Sequence, residues 1–423
     1  MRGLKRLVAG ACLAALSVAP AGAVGTFVGP DGSTIAMEAS RSLLVRHADR
    51  VELITQVKYA GTPADFVWLI AVPNVPNARD NNVTASPASQ AVLDELSDTT
   101  HPVLDGVCDG MPTGARANER QADEWGPVPA GGLTGRVFEA AEVEAGELTE
   151  FLTTTRGYTV DEALQAAIDD TLNQNYMFIA VHIDTAALGT QKLDPIISVT
   201  WPEGPGALRV GTRPIATAIP EGVADLVFFT LDSGRANGNL MTRELDFGAM
   251  AFTGPNQTDY RAQFDAQVAP LQTQVFVTEF AGAVDNTTFQ DEGLENLRSA
   301  SGASFLTRLH ARMSAAVFRT NGKTFEFSPQ GSGAYAREHE ITGLNCGGDE
   351  PDMAMGEVDM ATGEADMGGE EPALDMGGTP NADMGSSGGG GGGGGCSADP
   401  GRGTPWAWAL LLGLPLLARR RRR

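Results

Sequence analysis

Val51-Glu52-Leu53-Ile54-Thr55-Gln56-Val57-Lys58-Tyr59, then Gly61-Thr62-Pro63, then Phe66-Val67-Trp68-Leu69-Ile70-Ala71-Val72-Pro73 is the stretch that decides the fold. In its first part Val51, Leu53, Thr55, Val57 and Tyr59 alternate with Glu52, Ile54, Gln56 and Lys58, the period of two expected of a half-buried strand. Gly61-Thr62-Pro63 turns the chain. The second part is apolar without alternation and stops at Pro73, which predicts a central strand covered on both faces.

Working outward, apolar runs of the same kind lie at 177–183, 196–201, 224–231 and 275–280. Helix signals are fewer. Ser86 as N-cap with Pro87 at the first position predicts a helix to about residue 97. Thr159 and Glu162 read as a capping box ahead of Leu164, Ile168 and Leu172, which share one face. A third helix is expected over 303–313. Between Gly106 and Gly135 runs a Gly/Pro-rich stretch without periodicity, long enough to be a functional or disordered loop. Strands outnumber helices and do not alternate with them, so the expected class is α+β: a largely antiparallel sheet or sheets with a few packed helices.

The ends of the chain carry a different message. Arg2, Lys5 and Arg6 precede an apolar run over residues 7–18, Pro20 and the triplet Ala21-Gly22-Ala23. These are the parts of a secretory signal cleaved after Ala23. Twelve residues are too few to span a bilayer, which takes about 20 as helix. Cys12 lies too close to Arg6 to leave an apolar region before it, which argues against a lipoprotein signal.

At the other end eight glycines, 388–395, run into Cys396; Trp406-Ala407-Trp408-Ala409-Leu410 opens an apolar run, and Arg419 to Arg423 close the chain. Trp at one membrane interface and Arg clustered beyond the other suit an inserted segment with its C-terminus inside. Residues 404–418 would reach only about 22 Å as helix against a core of about 30 Å, and Gly413 and Pro415 weaken that helix further. The order of glycine spacer, Cys, short apolar helix and Arg cluster resembles the myxobacterial C-terminal sorting tail (MYXO-CTERM). That resemblance implies a membrane-embedded sorting protease cutting near Cys396, and a lipid on that Cys holding the protein at the outer membrane or cell surface. A plain single-pass anchor is the alternative.

The formal charge is −23. Losing the signal removes three positive charges and losing 397–423 a net five, leaving about −31. Such a surface repels nucleic acid and anionic headgroups, which excludes both as partners. With Cys396 assigned to the tail, Cys108 and Cys346 remain. In an oxidising compartment they form a disulfide or stay as two free thiols. A bond would close a loop of more than two hundred residues, worth roughly 5 kcal/mol in the chain-entropy model. From 347 to 395 the chain has eleven acidic residues, no basic ones and five Asp-Met pairs, the composition of a disordered spacer. The expected organisation is therefore a signal over 1–23, a folded body over 24–345, an acidic linker over 346–395 and a sorting tail over 396–423.

Within the body, Asp49 to Asn74 with Gly61, Pro63-Ala64-Asp65-Phe66-Val67-Trp68 and Val72-Pro73 resembles the bacterial family called domain of unknown function 2330. Gly157-Tyr158, Thr278-Glu279-Phe280 and Leu306-Thr307-Arg308-Leu309 echo it later. The resemblance implies one family unit and a common fold, and it brings no catalytic residues. Members often carry a cysteine pair just after the signal; this chain has Gly25-Thr26-Phe27-Val28-Gly29 there.

Local motifs for chemistry are absent from the sequence: no His-Glu-x-x-His, Gly-x-Ser-x-Gly, P-loop, dinucleotide fingerprint or Cys-x-x-Cys. No catalytic, cofactor-binding or metal-ligating residue is assigned, and no cofactor is expected. His182 and Asp184 fall on one strand face and read as a strand-end pair. Arg308, His310 and Arg312 form a cationic cluster, either a salt-bridged face or a patch for an anionic ligand. Trp125 either caps the core or faces a partner. Two functions remain open. One is a surface-displayed interaction or structural module on an acidic tether, bound to an unknown protein or envelope partner. The other is a secreted hydrolase or other enzyme whose acid–base pair is distant in sequence.

Overall fold

The computed structural model describes residues 24–341 apart from short internal stretches, of which 75–82, 117–124, 126–132 and 186–193 are the longest. Ala23, Cys346, Cys396 and the side chain of Cys108 fall outside the described residues, and so do the expected cleavage, disulfide, linker and tail. The described residues lie in one compact unit. Among them no helix is long and apolar enough to cross a membrane.

Two sheets form the body. The larger has eight strands in the spatial order Met241–Arg243, Val275–Ala283, Phe305–Ser314, Val223–Asp232, Ala36–Arg46, Arg50–Ala60, Ile196–Pro202 and Thr84–Pro87. The smaller runs Ala236–Gly238, Thr324–Pro329, Leu208–Gly211, Asp65–Pro73, Tyr176–Asp184 and Leu133–Phe138, with Thr26–Val28 also on Asp65–Pro73. Within these two sheets pairing is antiparallel except in two places. Val223–Asp232 runs parallel to Ala36–Arg46 at the centre, and Met241–Arg243 runs parallel to Val275–Ala283 at one edge.

The sheets pack face to face. Leu44, Val51, Leu53 and Val57 of the larger meet Phe66, Trp68, Ile70, Ile179 and Val181 of the smaller in one core. The other face of the larger sheet, with Leu43, Val45, Phe229 and Leu231, is covered by Val92, Leu93 and Leu96 of helix Gln90–Thr100 and Leu294 of helix Glu292–Ser301. The other face of the smaller, with Val67, Leu69, Phe178 and Ala180, is covered by Leu148, Leu152, Leu164 and Ile168. The molecule is thus a four-layer α+β sandwich of helices, sheet, sheet and helices, and residues 66–72 are apolar throughout because both of their faces are covered. Trp68 sits in that core and donates its indole N–H to the Val24 carbonyl at 2.7 Å.

Four local expectations are corrected. Ser86 and Pro87 pair with Ser198 and Ile197 as an edge strand, so the helix starts at Gln90 with Ser89 as N-cap. The helix Glu162–Leu172 is capped by Asp161, which accepts from the Leu164 amide at 2.7 Å, and not by Thr159. Residues 106–116 of the loop expected between Gly106 and Gly135 belong to a hairpin of Val103–Cys108 and Met111–Arg116, extended by Glu338–Glu340. The helix expected over 303–313 is the strand Phe305–Ser314. The last correction matters most, because it aligns Arg308, His310 and Arg312 on one face.

Candidate functional site

In the strand Phe305–Ser314, Leu309, Ala311 and Met313 point into the inter-sheet core. Alternation then sends Arg308, His310 and Arg312 to the helix-covered face. Asp225, opposite Arg312 on the next strand, faces the same way. On the other neighbour the register shifts between Thr278 and Phe280, a β-bulge at Glu279. A bulge re-aims a side chain, and this one turns Glu279 onto His310.

The result is a chain of charges in which the expected cationic cluster of Arg308, His310 and Arg312 is a salt-bridged face, its carboxylates supplied from distant strands and a helix. His310 Nδ1 lies 2.7 Å from Glu279 Oε1 and Nε2 lies 2.6 Å from Asp225 Oδ1. Arg308 Nε donates to Glu279 Oε2 at 2.6 Å, and Arg261 Nη1 sits 2.5 Å from Asp225 Oδ2. Helix Tyr260–Val268 closes the cluster: the Tyr260 hydroxyl donates to Glu279, Asp265 pairs with Arg312, and the Phe264 ring lies 4.5 Å from that of His310. Glu279 and His310 are 0% exposed and Asp225 1%.

Burial alone would push the Asp225 carboxyl up; the His310 charge, then Arg261 and Arg312, outweigh it and hold the group well below the usual range. Glu279 is lowered in the same way, against its own burial, by His310 and Arg308. For His310 burial pulls down, but the two carboxylates win and push it up to about 10. At neutral pH the imidazole is therefore a cation with both N–H groups donated to carboxylates. It has no lone pair with which to act as a base.

Along the same face His310 stands opposite Val227, Val227 opposite Arg41, and Arg41 opposite Gln56. Buried Arg41 reaches Gln56 Oε1 at 2.9 and 2.7 Å and Asp94 Oδ1 at 2.5 Å. Its guanidinium lies 4.7 Å from the Trp125 ring, and the Lys58 ammonium lies 5.5 Å from it. Trp125 thus packs on cations of the larger sheet. Gln56 is 0% exposed, so the strand expected to be half-buried is covered on both faces. His182 pairs with Asp65 across the strand at 3.2 Å, and Tyr158 donates to the same carboxylate at 2.7 Å. The partner is not the expected Asp184. Among the described residues no group of three His, Cys, Asp or Glu could hold a metal.

The other feature is an open cleft of about 560 Å³ lined by Arg235, Asn237, Thr242, Arg243, Glu244 and Gln330. It lies where the chain passes from the edge strand of the smaller sheet, Ala236–Gly238, to that of the larger, Met241–Arg243. The crossing is tight: a Cβ on Gly238 would come within 2.3 Å of the Phe276 ring. Arg235 Nη2 lies 2.9 Å from Glu244 Oε1, and its guanidinium lies 5.9 Å from the Tyr335 ring. Asn237 Nδ2 donates to Gln330 Oε1 at 3.1 Å. Arg243 donates to the carbonyls of Gln267 at 3.2 Å and Glu244 at 3.4 Å, and among the described residues it pairs with no carboxylate. Nothing in the sequence marks these residues as a group; only the pair of short polar strands around Gly238 hints at an edge.

Residues 18–326 match the family model described as an uncharacterized protein conserved in bacteria (DUF2330). No curated protein matches the chain. Among solved structures, that of baculovirus P35 aligns with 49% of this chain and 67% of its own at 11% identity and a TM-score of 0.26, a likeness too slight to carry fold or function.

Proposed function

The chain belongs to the DUF2330 family of bacterial proteins, and from that premise we propose that it is an exported protein held at the cell surface, its folded body serving as an interaction module. Export and anchoring rest on the two ends: the charged and apolar leader ending at Ala23, and the Cys396–Arg423 tail with its short, breakable apolar segment. The interaction half is carried by one observation. The ionisable groups that converge from distant parts of the chain are sealed and charge-saturated, whereas the polar cleft with Arg243 opens to solvent. A hydrolase reading would need Glu279, His310 or Asp225 to reach a substrate, and Tyr260 and Phe264 lie over them. In the exported form Cys108 and Cys346 pair.

Mass spectrometry of the protein released from intact cells tests the display. The expected species starts at Val24, ends near Cys396 with added acyl mass, and shows the Cys108–Cys346 bond in a non-reducing peptide map. Recovery of intact Trp406 and Trp408 would overturn the processing, and recovery from the cytoplasm alone would overturn the display.

A further inference from the structure

We propose that the cleft between the two sheet edges binds the carboxylate of an acidic saccharide, with Arg243 as the group that receives it. This deepens the interaction reading and rests on it. On a chain of formal charge −23, a cation without a carboxylate partner among the described residues is a local reversal of sign. A guanidinium presents paired N–H groups in a plane that matches a carboxylate. Two carbonyls already fix Arg243, so little side-chain freedom is lost on binding.

The remaining lining suits hydroxyl groups. Asn237 and Gln330 share one hydrogen bond, which leaves amide donors and acceptors for a ligand. Thr242 Oγ1 accepts from the Gly238 amide at 3.2 Å and keeps its own O–H to donate. Arg235, tied to Glu244 and lying near Tyr335, is a second donor whose charge is already answered. Glu244 keeps the net charge of the lining near one positive, so one carboxylate of the ligand is received here and its neighbouring sugars meet the uncharged lining. The volume of about 560 Å³ falls in the small-ligand range of ~300–1,000 Å³. An extended peptide fits less well. Both edge strands here are three residues long, and very short edges blunt strand addition.

Calorimetry on the intact chain decides, with trigalacturonate, neutral galactotriose and tetraglutamate as probes. Trigalacturonate should bind at least tenfold more tightly than either other probe, and more weakly as salt rises. Arg243→Gln should lose tenfold or more, Arg243→Lys should keep part of the affinity, and Asn237→Ala should lose several-fold. Should Arg243→Gln fail to fold, Arg243→Lys and Asn237→Ala carry the test. Equal binding of galactotriose, or unchanged affinity in the variants that fold, overturns the site. Tetraglutamate binding as tightly as trigalacturonate overturns the saccharide assignment. None of these outcomes touches the mass-spectrometric test of display, so the two ideas fail separately.

Discussion

Arg308 and Arg243 are the same residue type on neighbouring parts of one sheet, and they do opposite things. Arg308 is 1% exposed, fixed to Glu279, and one member of a cluster in which Tyr260, His310, Asp225, Arg261, Arg312 and Asp265 answer one another. Arg243 lies at the sheet edge, held by carbonyls that position it without neutralising it. The difference lies in what each charge meets. Where strands and a covering helix bring carboxylates to the charge, it becomes architecture. Where the sheet runs out, the same charge stays available. A buried pair is costly to break because the survivor is left uncompensated, whereas an edge charge costs little to remove.

The contrast should be sharpest at Glu279. Glu279→Gln takes one carboxylate from Arg308 and His310 together and should destabilise by about 3–5 kcal/mol in chemical denaturation. A loss below about 1 kcal/mol would show that the cluster is not a structural pin. Next comes pH. Folding raises His310 from 6.5 to about 10, so its contribution is complete below 6.5 and is lost as pH rises through 10. Asp225 and Glu279 are lowered from 3.8 and 4.5, so theirs is present above those values and fades as pH falls below them. Stability should peak between about 4.5 and 6.5, and His310→Gln should flatten the alkaline decline; an unchanged slope in that variant would place the proton elsewhere.

Gly238→Ala should cost about 1–3 kcal/mol, since its Cβ meets an aromatic ring that cannot swing away from the core. Thermal unfolding reads it. The smallest effect belongs to Arg243→Gln, which should change stability by less than about 0.5 kcal/mol while removing uronate binding. A large stability loss there would erase the distinction between the two arginines.

Six of the principal strands were legible from the sequence, because 50–60, 65–73, 176–184, 196–202, 223–232 and 275–283 are dominated by buried apolar or β-branched residues. Phe305–Ser314 reads as helix in the sequence and is a strand in the structure. Its alternation of Leu306, Arg308, His310 and Arg312 with Thr307, Leu309, Ala311 and Met313 has a period of two, yet the charged face looks solvent-bound until the distant Glu279 and Asp225 are known to meet it. Ala36–Arg46 was hidden in the same way, with Glu38, Ser40, Arg41 and Ser42 breaking its apolar pattern. Local spacing shows only the cationic half of the ionic cluster, Arg308, His310 and Arg312; the carboxylates that answer it are distant, with Glu279 29 residues from Arg308 and Asp225 85 from His310. The cleft was invisible for the opposite reason: it is defined by where two sheets stop.

The parallel pairing of Ala36–Arg46 with Val223–Asp232 also sets a timetable. During synthesis the first strand must wait for nearly two hundred further residues before its central neighbour exists. Closing so long a loop before any contact rewards it makes for high contact order and slow folding. The N-terminal half therefore emerges with an open edge on Ala36–Arg46, and the body matures only once the last strands arrive. A chain that stays unfolded this long is suited to threading through a narrow passage and exposed to aggregation if it lingers there.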